Sequence, residues 1–404
     1  MISSGWRKAR IGEIAEVKGG KRLPAGYYLQ ATPTHRPYIR VADMRVSGVD
    51  QSDIKYVPEG AISRIQNYRI YIDDIFISVA GTLGIVGRVP ISLDGANLTE
   101  NADRLTNIKC DVAYLMYALQ SNPIQDEIDS IRTVGAQPKL ALSRIRSFEI
   151  LMPSDQAEQS RVSRALSDTD DLIESLERLI SKKQAIKQGM MQELLTGNTR
   201  LSGFTSKWES KTIGQLCVSI RGGGTPSKAI ADYWGGQIPW ATVKDLSNFN
   251  PKGTLDHIST RGVAESAARV VPAGELIVSV RMLIARAVQF SVDVAINQDL
   301  KVLNLKQEVD PTFLRYWFNL NEESFARAAG GSTVSGISTT ELATKNVDLP
   351  PIEEQAGIAH VLQDADEELN ALMRRLQSAR NVKDGMMQEL LTGRTRLPVE
   401  EISS

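Results

Sequence analysis

The stretch MMQELLTGNTRL at residues 190–201 recurs as MMQELLTGRTRL at 386–397, with eleven of twelve positions identical. The offset is 196 residues, and upstream the match continues at the same offset. Glu158-Gln159 falls on Glu354-Gln355, and Leu166, Asp168, Asp170, Leu176, Arg178, Lys187 and Gly189 fall on Leu362, Asp364, Asp366, Leu372, Arg374, Lys383 and Gly385. From 158 to 201, 20 of 44 positions are identical without a gap, which chance does not produce. Solenoid and propeller repeats have periods of roughly 20–50 residues. The duplicated unit here is therefore the size of a domain plus a helix.

Both copies carry a heptad-like seam. The first runs Val162, Leu166, Thr169, Ile173, Leu176, Ile180, Lys183, Lys187, Met190, Leu194. The second runs Ile358, Leu362, Ala365, Leu369, Leu372, Leu376, Ala379, Lys383, Met386, Leu390. Alternating steps of four and three are coiled-coil spacing and exclude a strand. Pro153 and Pro350-Pro351 punctuate the starts, and Thr-Gly at 196–197 and 392–393 supplies the stops. A helix of about 40 residues is roughly 60 Å long, beyond the ordinary globular range. Each helix could pack into its own domain's core. Retention of the apolar register in both copies favours instead two helices packed on each other. The lysines at 183, 187 and 383 are expected to weaken that seam toward its C-terminal end.

At 404 residues the chain has room for two or three domains with real cores. Its 42% apolar and 24% charged content is that of a soluble globular protein. The formal net charge of −1 gives no global basic field, but the distribution is orderly. Residues 1–150 hold 19 Lys/Arg against 16 Asp/Glu and 202–350 hold 15 against 14, whereas 151–201 hold 7 against 8 and 351–404 hold 6 against 10. The large segments lean basic and the helices acidic. MISSGWRKAR has no apolar core and does not read as a signal peptide. Leu276 to Phe290, the most apolar stretch, is interrupted by Arg281 and Arg286 and does not read as a membrane span. Cys110 and Cys217 read as reduced, buried thiols. A cytoplasmic protein is the expectation.

Residues 1–150 and 202–350 form a second, more diverged repeat. Trp6 aligns with Trp208, Ile11-Gly12 with Ile213-Gly214, Gly19-Gly20 near Gly222-Gly223, Pro37-Tyr38 with Pro239-Trp240, and Asp43-Met44 with Asp245-Leu246. DDIFISV (73–79) aligns with GELIVSV (274–280), and DVAYLMY (111–117) with DPTFLRY (310–316). The agreement lies in turn glycines and strand apolars, the pattern of one scaffold carrying divergent loops. Ile39–Met44 and Ala241–Leu246 read as short strands, and Ile75–Val79 and Leu276–Val280 as buried strands. Val112–Leu119 and Thr312–Phe318 read as helices. The stretches 221–228, 79–88 and 330–338 read as exposed loops. The fold class is therefore α+β, two mixed domains alternating with two long helices: 1–152, helix region 153–201, 202–349, helix region 350–404. Antiparallel pairing of the helices would bring Leu397 back toward Ser4-Gly5-Trp6 and give the halves an approximate two-fold axis.

No catalytic constellation assembles. There is no G-x-x-x-x-G-K-[ST] loop, the triple glycine at 222–224 lacks a following Lys-Ser/Thr, and no strand leads into G-x-G-x-x-G. Asn122-Pro123 is followed by Ile, so the Asn/Asp-Pro-Pro-aromatic signature of amino-methyltransferases is missing. His35, His257 and His360 stand without Cys or carboxylate at ligand spacing, so no metal site is expected. The acidic pairs at 73–74 and 353–354 fall at a turn and a helix start, where carboxylates stay solvated or offset the helix dipole. This is the profile of a binding protein.

With PPIEEQ (350–355, weaker as MPSDQAEQ at 152–159), the twin MMQELLTG-x-TRL exits and the paired W-x-x-x-x-IG openings (6–12 and 208–214), the chain resembles the specificity subunits of type I restriction-modification systems. The first helix start departs from the pattern as if by a short insertion. The resemblance implies two target-recognition domains, each reading one half of a bipartite, asymmetric double-stranded DNA site. It implies a paired-helix coiled coil that sets the gap and docks two modification subunits. Those subunits bind S-adenosylmethionine and methylate adenine, while restriction subunits add ATP- and Mg-dependent translocation and cleavage. The chain itself is expected to bind no cofactor, membrane or metal and to catalyse nothing. Two DNA-reading units one helical turn apart need about 34–36 Å, which a roughly 60 Å helix pair accommodates.

Base edges and phosphates call for Arg/Lys, Asn/Gln, small hydroxyls and glycine amides. The residues expected at DNA are Lys21, Arg22, Arg40, Arg45, Thr82, Arg88, Gln137 and Lys139 in the first domain. In the second they are Arg221, Thr225, Lys228, Lys244, Arg281, Ser332 and Thr333. A stand-alone DNA-binding regulator is disfavoured by the near-neutral charge. A coiled-coil protein scaffold is disfavoured by Arg- and Gly/Thr-rich loops at matching places in both domains.

Overall fold

The computed structural model describes residues 4–132, 138–329 and 336–398. They form two compact units, residues 1–177 with 374–404, and residues 178–373. Each unit is mixed α and β, and the two share one strand plan.

In the first unit Trp6–Arg10 pairs antiparallel with Glu149–Pro153. A four-stranded antiparallel sheet runs in the order Glu16–Gly19, Ala102–Thr106, Ile75–Ser78, Val86–Arg88. A smaller sheet runs Lys55–Tyr56, Pro37–Ile39, Ala96–Leu98, Arg69–Ile70, with its central pair parallel. The second unit repeats these three sheets strand for strand, while the short pair Met44–Arg45 and Gly48–Val49 belongs to the first unit. Glu209–Thr212 pairs with Asn346–Leu349, the larger sheet runs Cys217–Gly222, Leu300–Leu305, Leu276–Ser279, Ala287–Val288, and the smaller runs Asp256–Ile258, Trp234–Ala241, Val294–Ile296, Arg269–Val271. Its central pair is again parallel. Ile75–Ser78 and Leu276–Ser279 are buried at every position, as their unbroken apolar runs require.

Two local readings change. Ile39–Met44 and Ala241–Leu246 are not continuous strands. Each strand stops at Ile39 or Ala241 and turns into a short helix, Val41–Asp43 or Val243–Ser247. The cause is a buried carboxylate three residues on: Asp43 accepts from the Arg40 amide at 2.8 Å, and Asp245 from the Thr242 amide at 2.8 Å. The stretch 79–88, read as loop throughout, ends in the edge strand Val86–Arg88.

The long helices are Gln156–Leu194 and Ile352–Leu390, 39 residues each. The helices themselves are in register at 196 residues, and the short insertion expected at the first entry lies just before the helix: Gln159 bonds the proline carbonyl six residues back and Gln355 the one five back. Gly197 and Gly393 turn the chain out at φ 74° and 67°. All of the seam residues, from Val162 to Leu194 and from Ile358 to Leu390, are buried or half-buried. In the first unit Val162 and Leu166 share a core with Leu390 and Leu391. In the second, Ile358 and Leu362 share one with Leu194 and Leu195.

Within each unit the helix segments run in opposite directions and are tied by the same three devices. Glu158 is buried and accepts from Arg396 Nε (2.8 Å), Arg396 Nη2 (2.5 Å) and Trp6 Nε1 (3.4 Å). Glu354 is buried and accepts from Arg200 Nε (2.6 Å), Arg200 Nη2 (2.5 Å) and Trp208 Nε1 (3.2 Å). Gln159 and Gln355 each accept from a domain backbone amide, of Asp111 and Asp310, and donate to the proline carbonyl at the helix start. Asp170 takes Lys383 (2.6 Å) and the Tyr117 hydroxyl (2.8 Å), while Asp366 takes Lys187 and the Tyr316 hydroxyl (2.6 Å). Burial, then the neighbouring carboxylate, pushes both phenols up, so they stay protonated donors. The seam lysines thus do not weaken the pair: Lys187 and Lys383 meet these aspartates, and Lys183 meets Glu368 at 2.7 Å. Arg396 also donates to the Ser4 carbonyl (3.4 Å), bringing both ends of the described chain together.

Candidate nucleic-acid interface

The loops of each unit gather at one end of its larger sheet. In the first unit Glu16–Gly19 ends opposite Asp103. The chain then presses against a neighbouring turn, with Gly20 N donating to Ala102 O (3.0 Å) and Lys21 N to Leu98 O (2.9 Å). A Cβ on Gly20 would lie 1.9 Å from the Thr99 carbonyl oxygen, so only glycine fits. Lys21 is exposed, its Nζ 5.6 Å from the Tyr68 ring centre, and Arg22 is held by Glu100 at 2.6 Å. Thr82 is exposed on the turn after Ile75–Ser78. Leu140 N donates to Val79 O (3.0 Å) and brings Lys139 beside Ala80. Lys21, Arg22, Thr82 and Lys139 therefore share this sheet end. Beneath them, burial pushes the Asp103 carboxyl up to about 6, against the opposing fields of Lys139 and Arg146.

The second unit builds the same cluster. A Cβ on Gly223 would lie 1.9 Å from the Ile296 carbonyl oxygen, the counterpart of the contact at Gly20. Arg221 is exposed on the strand, and Gly222 beside it pairs with Lys301. Thr225 donates to Gln298 Oε1 (2.6 Å). Val280 N donates to Asp299 O (2.9 Å), Ile337 N to Val280 O (3.0 Å), and Arg281 faces Asp299 at 3.7 Å. Lys228 is exposed on the following turn, and Lys244 on Val243–Ser247. Gln137, Ser332 and Thr333 lie outside the described residues.

Arg45 and Arg88 lie elsewhere, and Arg40 is tied down within its own domain. Arg40 is clamped on Asp43 (2.6 Å) and Asp53 (3.3 Å), fixing the strand-to-turn corner. Arg45 is held by Asp50 (2.7 Å) and by the Ala42 and Met44 carbonyls. Arg88 pairs with Ile75, at the opposite end of the strand whose far end carries the loops. Arg45 and Arg88 line an open groove of about 1150 Å³ with Asp170, Glu174 and Arg380 of the helices.

Two residues at the loop end escaped the sequence reading. Lys301 stands where the first unit has Asp103. Its signal was a charge interrupting the apolar run Leu300–Leu305. Met282 is two-thirds exposed in a backbone conformation of φ 61°. A non-glycine residue there costs roughly 1 kcal/mol, and its one signal is that the domain repeat, continued past Val79 and Val280, sets it on Gly81. Among the described residues no group of three or more His, Cys, Asp or Glu is placed to hold a metal, and no helix is long and apolar enough to cross a membrane.

Two copies of one domain plan, joined to two helices that repeat the same clasp, define a duplicated specificity architecture. The family model for the type I restriction modification DNA specificity domain matches residues 3–187 and again 205–379, and the chain belongs to that family. A putative type I restriction enzyme MjaX specificity subunit of Methanocaldococcus jannaschii is 24% identical over 382 residues, covering 89% of this chain and 87% of that protein. The EcoR124I/EcoR124II specificity subunit of Escherichia coli is 29% identical over 171 residues, 41% of this chain and 42% of that one. The fold is similar to the crystal structure of the type I S subunit from M. genitalium, with a TM-score of 0.62 at 15% identity, over 97% of this chain and 98% of that one. A chain solved in work on complex assembly and conformational transition of the type I system gives 0.61 at 16% identity, over 98% and 100%.

Proposed function

We propose that this chain is the DNA-reading subunit of a type I modification or restriction complex and catalyses nothing itself. Domains 1–152 and 202–349 each read one half of a bipartite, asymmetric site. Regions 153–201 and 350–404 form an antiparallel coiled coil with an approximate two-fold relation between halves, fixing the gap. The observation that carries this is the contrast within the repeat: one strand plan and one clasp, with unlike loops at the sheet ends. Identical placement of unlike readers suits a site whose two halves differ.

The helices dock two modification subunits, which hold S-adenosylmethionine and methylate adenine. Restriction subunits using ATP and Mg complete the assembly, in the cytoplasm. Leu179 and Ile186, seven residues apart on the first helix within the second unit, keep 39% and 45% of their surface exposed, which supports an apolar docking patch.

The test is a modified-base map of genomic DNA from cells expressing the chain with its modification subunit. A split adenine-methylated motif with unlike halves and a fixed gap, lost when the chain is deleted, is the expected result. Methylation by a competent modification subunit that ignores deletion of the chain would overturn the reading and favour a regulator or scaffold.

A further inference from the structure

Resting on that DNA-recognition reading, we propose that Met282 is a specificity-determining residue, the apolar tip through which the second domain reads a base edge. The turn after Leu276–Ser279 follows one backbone path in both units. In the first unit its left-handed positions are Gly81 (φ 75°) and Gly84 (φ 81°), whereas the second holds Met282 (φ 61°) and Ala285 (φ 65°) at the same places. Gly81 and Gly84 satisfy this backbone without strain, and the second unit carries a long apolar side chain there instead. That side chain adds nothing to the core, since Met282 is 67% exposed while Ile284 is buried and half-buried Leu283 packs beneath.

The turn is rigid. Ser279 Oγ donates to the Arg281 carbonyl (2.7 Å), Ala285 N to the Ser279 carbonyl (2.8 Å) and Arg286 N to the Leu283 carbonyl (3.0 Å). With the backbone held in advance, binding has only the methionine side chain itself to order. Its neighbours lean cationic: Arg281 is adjacent, facing Asp299 at 3.7 Å, and Lys301 and Arg221 lie on the strands that meet this turn. Cations that engage phosphates around one exposed thioether tip suit a groove in which the tip meets the C5-methyl of a thymine. The first unit presents bare backbone and the exposed hydroxyl of Thr82 at this turn, so it reads by other chemistry.

The experiment uses the full chain assembled with its modification subunits. Binding is measured on duplexes in which each base pair of the cognate site is replaced in turn. Met282→Gly is expected to keep or raise the melting temperature, because it relieves the left-handed strain. It should weaken cognate binding about fivefold to tenfold and relax discrimination at one or two adjacent pairs of one half-site only. Replacing the thymine at that place by deoxyuridine should reproduce the loss in the wild type and add nothing in the variant. Discrimination unchanged at every pair, or a loss spread evenly over both half-sites, would overturn the proposal. A wild-type complex with no split-site discrimination would instead overturn the DNA-recognition reading beneath it.

Discussion

The clasp that closes each unit and the loops at its sheet end belong to the same duplicated scaffold, yet they differ between the units in opposite ways. The clasp is the same residue for residue: glutamate, arginine, tryptophan, in matched geometry. At the loop end an acid stands opposite a lysine (Asp103 and Lys301), and a glycine opposite a methionine (Gly81 and Met282). A buried carboxylate tolerates nothing short of its full set of donors. Loop side chains facing solvent carry no packing constraint once their backbone anchors are met. Exposure thus frees side chains such as Met282 to differ between the halves, while Asp103, buried on its strand, differs from Lys301 in spite of its burial.

Breaking the clasp should have the largest effect. Glu354→Ala leaves the Trp208 indole without its acceptor and the Arg200 guanidinium with the Ser206 carbonyl alone, and is expected to destabilise the chain by roughly 3 kcal/mol. Calorimetry would register this as a melting point lower by roughly 6–12 °C. Glu158→Ala should cost less, because the Arg396 side chain is 51% exposed against 26% for Arg200 and water can replace the lost carboxylate. Equal losses would mean that exposure of the arginine does not set the energy of the clasp.

The next test joins anchor to loop. Gly20→Ala and Gly223→Ala each push a Cβ to within 1.9 Å of a carbonyl oxygen, and the loop must move to admit it. Each should cost about 1–3 kcal/mol and impair recognition of one half-site while sparing the other. Discrimination retained at both half-sites in either variant would show that the loop end does not depend on this close approach.

These anchors mark what was legible in the sequence. The helix repeat, its seam and stops, and the alignment of domain glycines all follow from period and turn chemistry, which are local signals. The clasp pairs Glu158 with Arg396, 238 residues away. Both residues lie in the repeated motif, but only the fold brings them together. Arg40 and Arg45 satisfied the residue-type argument for DNA contact, yet each meets an intradomain carboxylate that the sequence does not reveal as its neighbour. Arg88 is separated from the loop cluster by the direction of its strand. Met282 was legible only through the domain repeat, which sets it on Gly81, because backbone sign has no sequence signature outside glycine.

Asp103 sharpens the contrast through pH. Its carboxyl, raised from 3.8 to about 6, binds a proton more tightly folded than unfolded. Between those values the folded state keeps a proton the unfolded state has released, so stability falls as pH rises through the window. Above it the loss persists. Asp103→Asn should remove that fall, giving a melting temperature that declines less between pH 4 and about 6. The second unit offers no counterpart, since Lys301 occupies the place. A variant whose pH profile parallels the wild type would show that the carboxyl is not desolvated.

The smallest effect concerns the phosphates. Arg221 and Lys228 are exposed and form no ion pair among the described residues, whereas Arg22 already faces Glu100 at 2.6 Å. A cation that neutralises a phosphate releases a counterion, and each such contact steepens the log–log salt dependence of binding by about 0.9. Arg221→Ala with Lys228→Ala should therefore flatten that slope by about 1.8 and weaken binding about equally across sequences. Arg22→Ala should change it less, because Glu100 already engages that arginine and keeps it from neutralising a phosphate. A salt titration of the full complex reads both. An unchanged slope in the double variant would remove the 221–228 loop from the footprint, and a larger change for Arg22 would show that Glu100 releases its arginine when DNA arrives.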